Sequence, residues 1–302
     1  MRTRVMLPAA VAAAVFWAAA GPQPVVITAT SAAQATLTRS SEIVHVDSAD
    51  GTRIAVECAG TGPTLLFVHG GVGDRQRWTP MFSQLASRFR TCAMDRRGRG
   101  ESGDGPEYSL TREAEDVAAV ANASRAPVYV FGHSFGAVVA LEAAFLTDRI
   151  ARLMLYEPPL HEPVEANLEM AARLEGMVEA GELERALITF QRDIVQQPAE
   201  ELVRMQSRPS WAAMVASMRA QPRQMRALAA SPFQPDKMRA LTVPTLLLLG
   251  EDTISPFARQ SIAALRQTLP SATLVLLEGQ GHNAADSGQT LLGDVIVRFV
   301  MP

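Results

Sequence analysis

Residues 128–147 read Val-Tyr-Val-Phe-Gly-His-Ser-Phe-Gly-Ala-Val-Val-Ala-Leu-Glu-Ala-Ala-Phe-Leu-Thr. Val128 to Phe131 is a short β-branched and aromatic run suited to a buried strand, and Phe135 to Thr147 carries the small and apolar residues of a packed helix. Between them Gly132-His133-Ser134-Phe135-Gly136 forms a G-x-S-x-G pattern in the one context that gives it meaning, a sharp strand-to-helix turn. Such a turn forces Ser134 into a strained backbone conformation, and glycines at 132 and 136 keep Cβ atoms off the crossing chain. The hydroxyl then stands exposed at the rim of a sheet, at the positive end of a helix.

Working outward, short apolar runs recur at Thr64 to His69, Thr91 to Met94, Leu153 to Tyr156, Thr245 to Leu249 and Thr273 to Leu277. Helical patterns at Pro80 to Ser87, Leu110 to Asn122, Pro256 to Leu269 and Gln289 to Phe299 lie among them. Alternating strands and helices predict an α/β fold with a mostly parallel sheet covered on both faces. Ile43 to Val46 and Arg53 to Glu57, split by the turn signal Ser48-Ala49-Asp50-Gly51, predict a hairpin that makes one edge antiparallel. Right-handed crossovers put the carboxyl ends of the central strands on one rim, where ligands bind.

From Pro158 to Arg239 the alternation stops. The segment is rich in Glu, Ala, Met, Arg and Gln, is broken by prolines such as Pro163, Pro198 and Pro209, and predicts several short helices placed over the rim as a cap. The core is then 36–157 and 240–302, with the cap at 158–239.

With 48% hydrophobic and 20% charged residues, the chain has the material for a globular core rather than a disordered one. A net charge of -3 carries no footprint for nucleic acid or an anionic membrane, so a small-molecule substrate is the expected partner. Arg2 and Arg4 precede an apolar run from Val5 to Ala20, and Ala33-Gln34-Ala35 follows. This is the layout of a secretory signal peptide spanning 1–35, with Ala18-Ala19-Ala20 as an earlier cleavage site and an uncleaved anchor as the alternative. The expectation is export, to the extracellular space or cell envelope, with no stable membrane span after processing. Cys58 and Cys92 are the two cysteines. Both fall on predicted strands, and two outcomes stay open: a disulfide formed after export, or a pair of buried thiols.

A serine hydroxyl needs a neighbouring base. His282, in Gly279-Gln280-Gly281-His282-Asn283 just past the last strand, emerges at the same rim as Ser134, whereas His45, His69, His133 and His161 lie in the hairpin, in glycine turns or in the insertion. The imidazole in turn needs an acid to fix its tautomer. Asp252, in Gly250-Glu251-Asp252-Thr253-Ile254-Ser255-Pro256, is the first choice, with Glu251 and Glu157 as rivals. His69-Gly70-Gly71 follows a strand, so the N–H of Gly71 and that of Phe135 are the candidate oxyanion donors. Asp95-Arg96-Arg97-Gly98-Arg99-Gly100 reads as a structural loop held by charge pairs.

Together His-Gly-Gly, Asp-Arg-Arg-Gly-Arg-Gly and Gly-His-Ser-Phe-Gly resemble the α/β-hydrolase family, especially its small lidded members, over Glu42 to Pro302. The order Ser134, Asp252, His282 is the order of that fold. The resemblance implies an eight-stranded sheet, a helical cap after the sixth strand, and neither metal nor organic cofactor. It implies cleavage of an ester, lactone or thioester of a small to medium apolar substrate through an acyl-enzyme. A cofactor-free perhydrolase, a C–C bond hydrolase and a non-catalytic receptor on the same fold are the alternatives. Tyr156-Glu157-Pro158-Pro159 also resembles the matching segment of relatives. The acid loop departs from the pattern, because Asp252 stands two positions after Gly250 where many relatives have three.

Overall fold

The computed structural model describes residues 25–27, 41–161 and 163–301. Its strands, in chain order, are β1 (Val25–Ile27), β2 (Glu42–Asp47), β3 (Arg53–Ala59), β4 (Thr64–Val68), β5 (Arg90–Met94), β6 (Val128–His133), β7 (Ile150–Tyr156), β8 (Thr245–Gly250) and β9 (Ala272–Leu277). Eight strands from Glu42 onward build the expected mixed, mostly parallel sheet, and β1 adds a short ninth along β9. The order is β1-β9-β8-β7-β6-β4-β5-β3-β2, with β2 and β3 antiparallel and the rest parallel apart from the β3–β5 pair. Apart from β1, the expected leader at 1–35 lies outside the described residues.

The core helices are α1 (Thr79–Leu85), α2 (Leu110–Ala123), α3 (Phe135–Ala143), α10 (Pro256–Thr268), α11 (Ala284–Ser287) and α12 (Gln289–Val300). Between β7 and β8 the insertion folds as α4 (Val164–Glu179), α5 (Leu183–Asp193), α6 (Ala199–Gln206), α7 (Trp211–Ser217), α8 (Gln221–Ala229) and α9 (Pro235–Arg239). Counted from Glu42, β7 is the sixth strand, so the cap enters where the resemblance puts it.

Strand β4 shows how the sheet is held. Leu66 and Val68 pack into one core layer while Leu65 and Phe67 pack into the other, the period-two alternation of a strand buried on both faces. In the second layer Phe67 stacks on Trp78 with ring centroids 4.9 Å apart, and Phe131 completes the cluster under the central strands. The cap has a separate apolar core around Leu174, Leu187, Met205, Met214 and Met218. Helix α3 ends at Ala143, short of the predicted Thr147, because tight turns at Phe145 and Leu146 redirect the chain toward β7. Cys58 and Cys92 are register partners on β3 and β5, and a disulfide joins them.

Candidate active site

The turn between β6 and α3 takes the geometry read from its glycines. Ser134 has φ 53°, and a Cβ at Gly136 would lie 2.3 Å from the carbonyl oxygen of His69, while one at Gly132 would lie 2.5 Å from the Ala137 Cα. Only glycine fits either place. Ser134 and its neighbour Phe135 line a cavity of about 650 Å³ between the sheet rim and the cap, a volume suited to a small ligand. Phe135 opens α3, so its N–H belongs to the first turn, where no intrahelical partner exists.

His282 lines the same cavity. Two residues of the central strands anchor its loop: the Nε2–H of His133 donates to the carbonyl of His282 at 2.9 Å, and the Tyr156 hydroxyl donates to the carbonyl of Gly281. The two imidazoles sit 4.7 Å apart between centroids. Burial, and then the charge of His282, pushes the His133 pKa well below its ordinary value, which keeps this ring neutral. Burial raises the Tyr156 phenol well above its usual range, so it stays a donor.

The carboxylate beside the other ring nitrogen of His282 is not the one expected from the sequence. Nδ1 of His282 lies 2.6 Å from Oε2 of Glu157, whose carboxylate is almost wholly buried. The second oxygen of Glu157 accepts from the backbone N–H of Gly250 at 2.8 Å and from the Thr253 hydroxyl. Asp252, the first choice for this place, is exposed at the cavity wall and meets the His282 loop through its backbone, donating to the carbonyl of Gln280 at 2.9 Å. The cause is the tight turn after β8, in which the N–H of Thr253 returns to the carbonyl of Gly250. That turn aims residue 253 inward and residue 252 outward. Glu251 meets the backbone N–H of Gly279 instead.

Glu157 has φ 48°, and the third non-glycine residue with positive φ, Gln196, also borders the cavity. Among the described residues, every such backbone conformation therefore falls at this site, as strain tends to.

The glycine loop after β4 is fixed from below. Arg96, wholly buried, donates to the carbonyl of Gly70 at 2.7 Å, lies 4.6 Å from the Phe135 ring centroid, and is paired with Glu113. His69 donates from Nδ1 to Gly70 and accepts the Arg96 N–H at Nε2, a neutral state that burial favours by lowering its pKa. From above, the cap holds the same loop, since the Gly73 N–H donates to Ser217 and Gln224 accepts from both Arg96 and Arg99. Arg97 pairs with Asp116 and Asp50. The 95–100 segment is thus the charge-paired loop read from sequence, and it supports both candidate oxyanion residues, Gly71 and Phe135. Sequence reasoning missed the roles of Tyr156, His133 and the cap glutamines, since none belongs to a motif that announces them.

Among the described residues no group of His, Cys, Asp and Glu is placed to hold a metal ion, and no helix is long and apolar enough to cross a membrane.

Comparison with known proteins agrees with this architecture. A solved α/β hydrolase from Sphaerobacter thermophilus is 33% identical and superposes with a TM-score of 0.76, covering 85% of this chain and all of that one. A thermophilic esterase from Thermogutta terrifontis, 24% identical, superposes with a TM-score of 0.69 over 86% of this chain and 98% of its own, and shares the fold. In sequence, the hydrolase YraK of Bacillus subtilis is 28% identical over 162 residues, which are 52% of this chain and 55% of that protein, so the match spans about half of the relative's length. The model of the alpha/beta hydrolase family matches residues 65–291, and the chain belongs to that family.

Proposed function

We propose that this chain hydrolyses carboxylic esters of small to medium, largely apolar substrates through an acyl-enzyme on Ser134. The observation that carries the reading is the buried Glu157 carboxylate on Nδ1 of His282, in the cavity that Ser134 also lines. With Nδ1–H held by Glu157, Nε2 is the free base. It takes the Ser134 proton as Oγ attacks the ester carbonyl. The negative charge that develops on the carbonyl oxygen is met by the N–H groups of Gly71 and Phe135, and removing one such donor typically costs roughly 100- to 1,000-fold in turnover. The imidazolium, stabilised by Glu157, returns its proton to the leaving alkoxide, and the alcohol departs. Water then attacks the acyl-enzyme, giving its proton to Nε2. Collapse releases the acid and restores Ser134, so one ester and one water yield one acid and one alcohol.

The esterase and enol-lactonase described among solved structures of this fold support the choice of ester chemistry. Export through the leader belongs to the same proposal, and the Cys58–Cys92 bond supports it because disulfides persist in oxidising compartments. The test is a fluorophosphonate probe at neutral pH, followed by intact mass and peptide mapping. Stoichiometric labelling at Ser134, absent in Ser134→Ala, is expected. Absence of labelling in the folded wild-type protein overturns the hydrolase reading and favours a ligand-binding role.

A further inference from the structure

Gln221 opens α8 on the inner side of the cap, is wholly buried and lines the cavity. Neither its amide nitrogen nor its carbonyl oxygen has a hydrogen-bond partner. Folded proteins rarely leave a buried carboxamide unpaired at both ends, because each end loses its water and gains nothing in return. Gln224, one turn further along, shows the contrast. Its oxygen is committed to Arg96 at 2.8 Å and Arg99 at 2.9 Å.

The free carboxamide borders the cavity beside the glycine loop after β4. A Cβ on Gly71 would come within 3.2 Å of Oε1 and 3.3 Å of Nε2 of Gln221, so the amide abuts the loop proposed to hold the oxyanion. A Cβ on the preceding Gly70 would be 3.1 Å from the Cβ of Ser134. Gln221 and Ser134 thus border consecutive residues of one short loop. Val72, Phe190, Met214 and Met225 also line the cavity, and in an apolar recess one polar group sets ligand orientation. Gln221 is neutral. The cations bordering the cavity are already paired, Arg77 with Asp286, Arg204 with Glu201, and Arg208 with both acids.

We propose that Gln221 is a specificity-determining residue that reads a neutral amide-like group, one donor beside one acceptor, on the acyl part of the substrate. The carboxamide offers the complementary acceptor and donor, and both unmet atoms are satisfied at once. This rests on the hydrolase reading and narrows its substrate class to esters whose acyl chain carries a primary carboxamide near the carbonyl, since a trans secondary amide turns its N–H and C=O to opposite sides. Sites built to pair a polar substrate group discriminate strongly against analogues that lack it, because the site's own polar atoms are then left buried and unpaired.

The experiment compares the methyl esters of malonamic, succinamic and glutaramic acid with their shape-matched alkyl esters, methyl 3-methylbutanoate, 4-methylpentanoate and 5-methylhexanoate. Hydrolysis by the full chain is followed in a pH-stat, and each kcat/KM is divided by the ester's hydroxide-catalysed rate. For the best of the three pairs the wild-type ratio of amide to alkyl ester is expected to be at least about tenfold, and Gln221→Met is expected to lower it about tenfold or more, chiefly through KM. A best ratio below that in the wild type, or a ratio that Gln221→Met leaves unmoved, overturns the proposal. The wild-type ratio requires no variant to fold. Fluorophosphonate labelling of the same preparations separates the two readings: labelling without amide preference removes the recognition role alone, and absence of labelling removes the hydrolase reading beneath it.

Discussion

Glu157 and His282, 125 positions apart in sequence, meet through a 2.6 Å contact between Oε2 and Nδ1. The pairing follows from strand order. Strand β7 lies beside β8, so the residue that follows Tyr156 comes level with the turn after Gly250, and Gly250 and Thr253 supply the donors that hold its other oxygen. The loop after β9 brings the imidazole to the same place. Three consecutive sheet neighbours thus build the Glu157–His282 pair, and β6 beside them carries Ser134.

The elbow glycines are required by contact, and this separates them from glycines elsewhere. Gly136→Ala pushes a methyl group against the backbone at His69, which is expected to cost about 1–3 kcal/mol or more of stability and to remove fluorophosphonate labelling. Gly176→Ala, inside α4 and facing open space, is expected to raise stability by about 0.5–1 kcal/mol. Thermal unfolding of the two variants checks both; equal effects would contradict the packing at the elbow.

Stability is expected to fall as the medium is acidified below about pH 6.5. His69 and His133 are held neutral in the fold by burial, with folded pKa values well below the 6.5 of an exposed histidine. Below 6.5 the unfolded chain takes up protons that the folded chain refuses, so the stability these groups provide is present above that value and is lost on descending from it. Each histidine contributes a slope of up to about 1.4 kcal/mol per pH unit. Melting temperatures at pH 7.5 and pH 5.5 should differ by several degrees, and an unchanged value would contradict the neutral, buried assignment.

The Cys58–Cys92 bond closes a loop over a sequence separation of 34. On the chain-entropy account, replacing both cysteines by serine is expected to cost about 4 kcal/mol. Thiol titration of the unfolded, unreduced protein should find no free thiol, and two after reduction. Two thiols without reduction would contradict the bond.

Much of this molecule was legible in its residue order. Period-two burial makes Leu65 to Val68 read as a strand, and the glycines around Ser134 announce a crossing of backbones that the contacts at Gly132 and Gly136 bear out. The carboxylate that meets His282 was harder. Asp252 and Glu157 both follow core strands, and what separates them is the direction of a tight turn and the lateral order of β7 and β8, neither of which is encoded by local composition. The two-residue spacing from Gly250 to Asp252 was the available signal. Strand β1 gave none, since three apolar residues so near the apolar run from Val5 to Ala20 carry no period, and the cap glutamines gave none because pairing across the cavity depends on helix placement.

The most direct test of the account is the ratio of kcat/KM for p-nitrophenyl butyrate in Glu157→Gln and Asp252→Asn, each measured against wild type with Ser134→Ala as the baseline. Glu157→Gln is expected to lose on the order of 10,000-fold, as loss of the orienting carboxylate does in a serine triad, while Asp252→Asn stays within about threefold of wild type. The reverse order, with Asp252→Asn crippled and Glu157→Gln active, would contradict the assignment on which the proposed mechanism stands.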